Sequence, residues 1–301
     1  MPKVTANKWN DLDIEIEYQS FGDPSDPTLL LVSGYTAQMM NYDTEFCSLL
    51  ASRGLHVIRF DNRDVGLSTK LDGVQVDLKA IMAAGRYPDP STLPQCPYTL
   101  SAFSDDAFGL LSALGIEKAH ILGCSMGGMI VQTMAIEHPE RVLSMTSVMS
   151  TTGGHGVGGS TKEASDALLA PAKTERAEFI EQAVERASIF APHRHFEPAR
   201  ARANAEQSYD RCFYPEGSTR QFAAIRVSGD REPGLRECSV PTLVIHGRVD
   251  PIIQLSGGER TAELVDGAVL MVLNDMGHDL PRALWGELVD AVASHTARNN
   301  D

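Results

Sequence analysis

The sequence predicts an α/β protein with a doubly wound, mostly parallel sheet and one helical insertion. Three observations predict it. Short, continuous apolar runs recur at 28–32, 56–60, 119–123, 143–149, 242–246 and 268–273; such runs suit strands covered on both faces, as in a parallel sheet. Helix-compatible stretches separate most of them, at 44–53, 100–114, 126–138, 257–265 and 281–296. The alternation fails between about 151 and 238, where helical patterns such as 173–190 and 197–213 occur without a strand-like run. At 301 residues, the chain fits two domains of about 150 residues or one α/β domain with an insertion. The boundaries expected are a core at 1–150 and 236–301 and a helical cap, or lid, at 151–235.

In chain order, residues 12–20 alternate apolar and polar, the period of a half-buried strand in an early hairpin. The segment 21–27 is dense in turn formers and leads into the run at 28–32. The loop 71–97 is long for an α/β connection and holds Pro88, Pro90, Pro94 and Pro97; loops of that length are functional or mobile. The segment 153–159 carries five glycines in seven residues and reads as a hinge into the insertion, carrying 160–235 as a lid.

Composition excludes several function classes. Asp and Glu number 40 against 26 Lys and Arg, a net charge of −14, which argues against nucleic-acid and anionic-membrane surfaces. The five cysteines, at 47, 96, 124, 212 and 238, include no Cys-x-x-Cys pair, so neither a disulfide framework nor a structural zinc site is expected. No run nears the roughly 18 apolar residues of a membrane span. The first residues lack the apolar stretch of a cleaved secretory signal, so a cytoplasmic location is expected.

The chemistry concentrates at Gly123-Cys124-Ser125-Met126-Gly127, a Gly-x-Ser-x-Gly pattern between an apolar strand and a helix-forming run. A serine at so tight a turn presents its hydroxyl above the sheet edge, and flanking Gly123 and Gly127 spare the turn a clashing Cβ. The helix begins directly behind the serine, so its first amides face any anion formed there. A serine nucleophile needs a base and the base an orienting acid. Asp250 follows the strand 242–246 and His278 follows the strand 268–273, both beyond strand C-termini on the edge that carries Ser125. Asp275 and Asp279 are rival acids, but each lies too near His278 in sequence to reach back to Nδ1. For the oxyanion hole the expected backbone donors are Met126, after the nucleophile, and Tyr35, in the turn after the strand 28–32. Gly34 and Thr36 are the alternatives to Tyr35.

These motifs resemble the α/β-hydrolase superfamily. Within it the chain is similar to the serine esterase branch of aclacinomycin methylesterase-like proteins and actinobacterial lipase and esterase homologues. The matching stretches are 28–34, 57–68, 123–128, 138–142, 246–251 and 277–278, together reaching both ends of the core. The sequence departs from the common pattern at Ser33-Gly34, where many members carry His-Gly. Asp61-Asn62-Arg63-Asp64 matches the family's arginine-containing turn and reads as structural. The resemblance implies a serine-dependent carboxylic ester hydrolase acting on a small-molecule ester through an acyl-enzyme, with no cofactor and no metal; residues 151–235 take the place of the family's cap. C–C bond hydrolysis, thioester cleavage and cofactor-free perhydrolysis use the same triad and remain alternatives, as does a non-catalytic ligand receptor. The sequence leaves the oligomeric state open.

Some patterns carry no such weight. Residues 154–159 fit Gly-x-Gly-x-x-Gly but lack the returning parallel strand of a dinucleotide site. His193 and His195 lack acidic partners at metal spacing and are expected on the cap surface. Cys124 is expected as a small buried side chain under the elbow. Met39, Met40, Met126 and Met129 suit either an acyl pocket or core packing.

Overall fold

A computed structural model describes residues 1–83, 96–192 and 194–300. The eight strands are β1 (Lys3–Trp9), β2 (Leu12–Phe21), β3 (Thr28–Val32), β4 (His56–Phe60), β5 (Ala119–Cys124), β6 (Val142–Val148), β7 (Thr242–Gly247) and β8 (Val269–Leu273). They form one sheet in the order β1-β2-β4-β3-β5-β6-β7-β8. β1 and β2 pair antiparallel, as do β2 and β4; every pairing from β4 to β8 is parallel. The helices are α1 (Thr44–Ala51), α2 (Leu78–Ala83), α3 (Leu100–Ala113), α4 (Met126–Glu137), α5 (Lys162–Leu169), α6 (Arg176–Phe190), α7 (Pro198–Arg211), α8 (Gly217–Val227), α9 (Glu232–Glu237), α10 (Ser256–Leu264) and α11 (Trp285–Ala297).

The period of two along the central strands builds two apolar layers. Leu30, Val32, Ile58, Phe60 and Ile121 point to one face and pack with Phe103 and Leu111 of α3 and Ile130 and Met134 of α4. Leu29, Leu31, Val57, Leu122 and Ile245 point to the other and meet Phe46 and Leu50 of α1 and Trp285, Leu288 and Val292 of α11. α4 is buried all round over Met126–Ala135, as a helix enclosed by sheet and neighbours must be.

At one sheet edge the expected hairpin forms, and at the other an expectation is corrected. The hairpin partner of 12–20 is β1, whose largely polar sequence gave no strand signal of its own; Asn10 turns the corner at φ 53°. β8 is not covered on both faces. It is the edge strand, and Val269 and Leu270 stand 54% and 36% exposed.

Among the described residues, 149–241 contain α5 to α9 and no strand. α8, which periodicity missed, is the most firmly tied of them. Arg220 forms a forked pair with Asp64 (2.8 and 2.7 Å), and Asp64 also accepts from Tyr98 Oη at 2.6 Å and Leu71 N at 2.9 Å. Gln221 donates to Arg63 O at 3.0 Å. On α7, Arg211 pairs with Asp61 (2.7 Å), and Gln38 donates to Ser208 O and Cys212 O. The turn Asp61–Asp64 is therefore the buried footing of these helices, consistent with a structural reading. A rigid swing of 160–235 about the glycines would have to break all of these contacts. The glycine segment is itself fastened: Gly158 N donates to Ser256 Oγ, and a Cβ on Gly158 would lie 2.6 Å from Thr151 Oγ1. Of the loop 71–97, residues 84–95 lie outside the described residues, as does His193 of the His-x-His pair. Among the described residues, no helix is long and apolar enough to cross a membrane.

Candidate active site

The elbow places Ser125 at the end of β5, at φ 58° and ψ −118°. For a residue with a Cβ this is a strained conformation, the kind that persists only where its surroundings enforce it. Here Ser125 N donates to Val148 O (3.0 Å), its carbonyl accepts from Met129 N (3.1 Å) and Ser150 Oγ (2.8 Å), and α4 starts at the next residue. Close approach explains the glycines. A Cβ on Gly123 would lie 2.0 Å from Gly127 O, and one on Gly127 would lie 2.0 Å from Val32 O. From 119 to 135 only Ser125 is partly exposed; every neighbour is buried.

Asp250 and His278 come together. His278 Nδ1 lies 2.8 Å from Asp250 Oδ2, and Asp250 is 4% exposed. The second carboxylate oxygen accepts from Ile252 N (2.8 Å) and Ile253 N (2.9 Å), which fixes the plane of the group. His278 N donates to Phe190 O at 2.8 Å, and the Phe190 ring stands edge-on to the imidazole. The rival acids lie elsewhere: Asp275 pairs with Arg194 at 2.7 Å, and Asp279 Oδ1 accepts from Gly277 N at 3.3 Å.

Beside the elbow, Gly34 presses on it closely enough that a Cβ would lie 3.3 Å from Ser125 Cβ and 3.9 Å from Met126 N. Thr36 sits at φ 57° and gives its amide to Gln221 Oε1 at 2.9 Å, so that amide is spent. Gln221 belongs to α8, a contribution that sequence reasoning missed because it spans 185 positions. Ser125, Met126, Tyr35 and His278 all line one cavity of about 670 Å³ between the strand ends and the helices α5 to α8. That volume is in the range of small-molecule sites. Much of the wall is apolar, including Met40, Met129, Leu168, Phe179, Phe222 and Ile225. Met39 instead packs in the core beside the cavity, fully buried. His195 lines the cavity rather than an outer surface. Cys124 also reaches it, but burial pushes its thiol up to about 12, so no thiolate forms there at neutral pH.

A second histidine, His246, is completely buried beneath Asp250. Its Nε2 lies 2.8 Å from Ile253 O and 3.7 Å from Asp250 Oδ2. Two oxygens facing Nε2 require a proton there, and burial holds the ring's pKa below the usual histidine value. The neutral ring thus braces the turn that carries Asp250.

The sheet order and the strained serine elbow define the α/β-hydrolase class. The chain belongs to the α/β-hydrolase fold family, which it matches over residues 27–281. It is similar to a rhodomycin D methylesterase of Streptomyces sp. (strain C5), 26% identical over 94% of this chain and 95% of the relative. It is also similar to 2-hydroxymuconate semialdehyde hydrolase of Pseudomonas sp. (strain CF600), 32% identical over 60% of this chain and 62% of the relative. Among solved structures it resembles a meta-cleavage product hydrolase from Pseudomonas fluorescens IP01, with TM-score 0.73 and 22% identity over 95% of each chain. The family and the methylesterase relatives support an enzyme that hydrolyses esters.

Proposed function

We propose that the protein is a serine hydrolase that cleaves carboxylic esters through an acyl-enzyme on Ser125, with α5 to α8 as a cap over the site. The observation that carries this reading is the 2.8 Å His278–Asp250 contact at the rim of the cavity where Ser125 is held in its strained turn. In this reading Asp250 accepts a hydrogen bond from Nδ1–H of His278, which holds the ring in the tautomer with Nε2 unprotonated as the base. Ser125 Oγ attacks the ester carbonyl carbon while Nε2 takes the hydroxyl proton. The carbonyl oxygen becomes an oxyanion, stabilised by the amides of Met126 and Tyr35; one such donor contributes about 3 kcal/mol. The tetrahedral intermediate collapses, the C–O bond to the alcohol breaks, and His278 returns the proton to the leaving alkoxide. Water then attacks the acyl-enzyme, His278 takes its proton, and the collapse that frees the acid returns that proton to Ser125. None of these steps calls for a cofactor.

A second reading, C–C hydrolysis on the same residues, draws support from the relative named 2-hydroxymuconate semialdehyde hydrolase. The deciding experiment is a substrate panel: p-nitrophenyl and methyl esters of increasing acyl size, a thioester, a peracid assay and a 2-hydroxy-6-oxo-dienoic acid. The ester reading expects turnover of esters, with a burst of p-nitrophenol equal to the enzyme concentration. Turnover of the dienoic acid without ester turnover would overturn it. Tight binding of esters with no turnover of any substrate would favour a receptor.

A further inference from the structure

One charged side chain stands in an apolar row with no partner among the described residues. The cavity-facing residues of α6 are Phe179, Ala183, Arg186, Ala187 and Phe190. Their spacing is that of a single helix face, which packing against an apolar cavity fills with apolar side chains. Arg186 breaks the row, and among the described residues it makes no hydrogen bond or ion pair. Three other arginines at this cavity are committed. Arg200 pairs with Asp43 and covers the Trp285 ring, Arg231 donates to Gln132 Oε1 and Thr151 O, and Arg282 pairs with Glu45.

Keeping a half-buried guanidinium unpaired costs free energy, because water is removed from its donors and nothing replaces it. Burial pulls the pKa of Arg186 below its usual value, and the Tyr35 phenol is the one group pushing back. That phenol bonds Ser218, while the backbone of Tyr35 belongs to the turn beside Ser125. Arg186 is therefore one tyrosine side chain away from the place where an ester carbonyl would sit.

We propose that Arg186 binds a carboxylate of the substrate, so that the preferred esters carry a free carboxylate in addition to the ester that is cleaved. The inference rests on the ester-hydrolase reading. A guanidinium offers parallel N–H donors that match the two carboxylate oxygens, and half-buried beside apolar side chains such a charged pair is stronger than in open water. The apolar wall around it holds the hydrocarbon between the two groups.

The test compares kcat/KM for mono-p-nitrophenyl adipate, with its carboxylate on the acyl side, 3-carboxy-4-nitrophenyl hexanoate, with its carboxylate on the alcohol side, and neutral p-nitrophenyl hexanoate. The readout is the ratio of each charged ester to the neutral one, so that a general loss of activity cancels. In the wild type one of the two ratios is raised, and which one tells where the carboxylate lies. In Arg186→Met that ratio falls about 10- to 100-fold, chiefly through KM, and Arg186→Lys falls between. In parallel, adipate and 4-nitro-3-carboxyphenol are titrated by calorimetry into the wild type and both variants. Binding of either to the wild type and not to Arg186→Met supports the proposal even where no ester turns over, an outcome that would instead sink the ester reading. Ester turnover with ratios indifferent to residue 186, and no carboxylate binding by the wild type, overturns it. Should Arg186→Met fail to fold, the Arg186→Lys ratios and wild-type titrations decide alone.

Discussion

Replacing Asp250 by asparagine changes one atom's hydrogen-bonding sense and little else. One carboxylate oxygen accepts from two backbone amides, Ile252 at 2.8 Å and Ile253 at 2.9 Å. The other faces His278 Nδ1 at 2.8 Å. An asparagine has a single acceptor oxygen. Turning its NH₂ toward the two amides would strand both donors in a buried turn, at about 1–3 kcal/mol each. The oxygen therefore stays on the amides and the NH₂ faces His278. Nδ1 must then accept, the ring proton moves to Nε2, and the atom meant to take the Ser125 proton already holds one. The expected loss is about 10⁴-fold in kcat, near 5 kcal/mol of barrier. The melting temperature should move little, because the turn keeps both amide bonds. The assay is steady-state hydrolysis of a chromogenic ester by Asp250→Asn, Asp275→Asn and Asp279→Asn, each with a thermal melt. A loss below tenfold in a folded Asp250→Asn protein, or a larger loss in Asp275→Asn, refutes the reasoning.

Two further predictions concern stability. Arg220→Met breaks a buried pair and leaves Asp64 charged beneath α8; removing one partner of such a pair costs about 3–5 kcal/mol, which should lower the melting temperature by on the order of 10 °C, whereas an unchanged melt would mean that α8 is not anchored there. His56, His120, His246 and His295 are all held by burial below the ordinary histidine pKa. The unfolded chain therefore takes up protons first as pH falls: the stability these rings contribute is complete above about pH 6.5 and shrinks below it, so melts at pH 7.5, 6 and 5 should fall in that order, and a melting temperature that rises from pH 7.5 to 5 contradicts the account.

What was legible in the sequence is what local pattern controls. The strands β3 to β7 are continuous apolar runs because both faces are covered, and a five-residue run shows that without any knowledge of its partners. The elbow is legible because Gly123 and Gly127 answer to contacts within a few ångströms of the turn. Asp250 and His278 follow from strand direction alone, since parallel strands bring their C-terminal loops to one edge. β8 carries the same apolar signal as its neighbours, and nothing local distinguishes an edge strand from a covered one. β1 hides for the opposite reason: its alternation rests on small Val4 and Ala6 and is broken by the register shift between Thr5 and Asn7. The least legible features join distant positions: Arg220 reaches Asp64 across 156 residues and Gln221 reaches Thr36 across 185, and no spacing rule links them. Arg186 was invisible for a different reason. A single arginine in a helix reads as a solvated side chain until the face it occupies is known.

The central claim is that Ser125 is the nucleophile, and active-site labelling tests it most directly. A fluorophosphonate probe is incubated with the wild type and with Ser125→Ala, and the adduct is counted and mapped by mass spectrometry of the intact and digested protein. The account predicts one probe per chain, carried on the peptide that holds Ser125, and neither label nor ester turnover in Ser125→Ala. Stoichiometric labelling or undiminished turnover in Ser125→Ala would place the nucleophile elsewhere and contradict it.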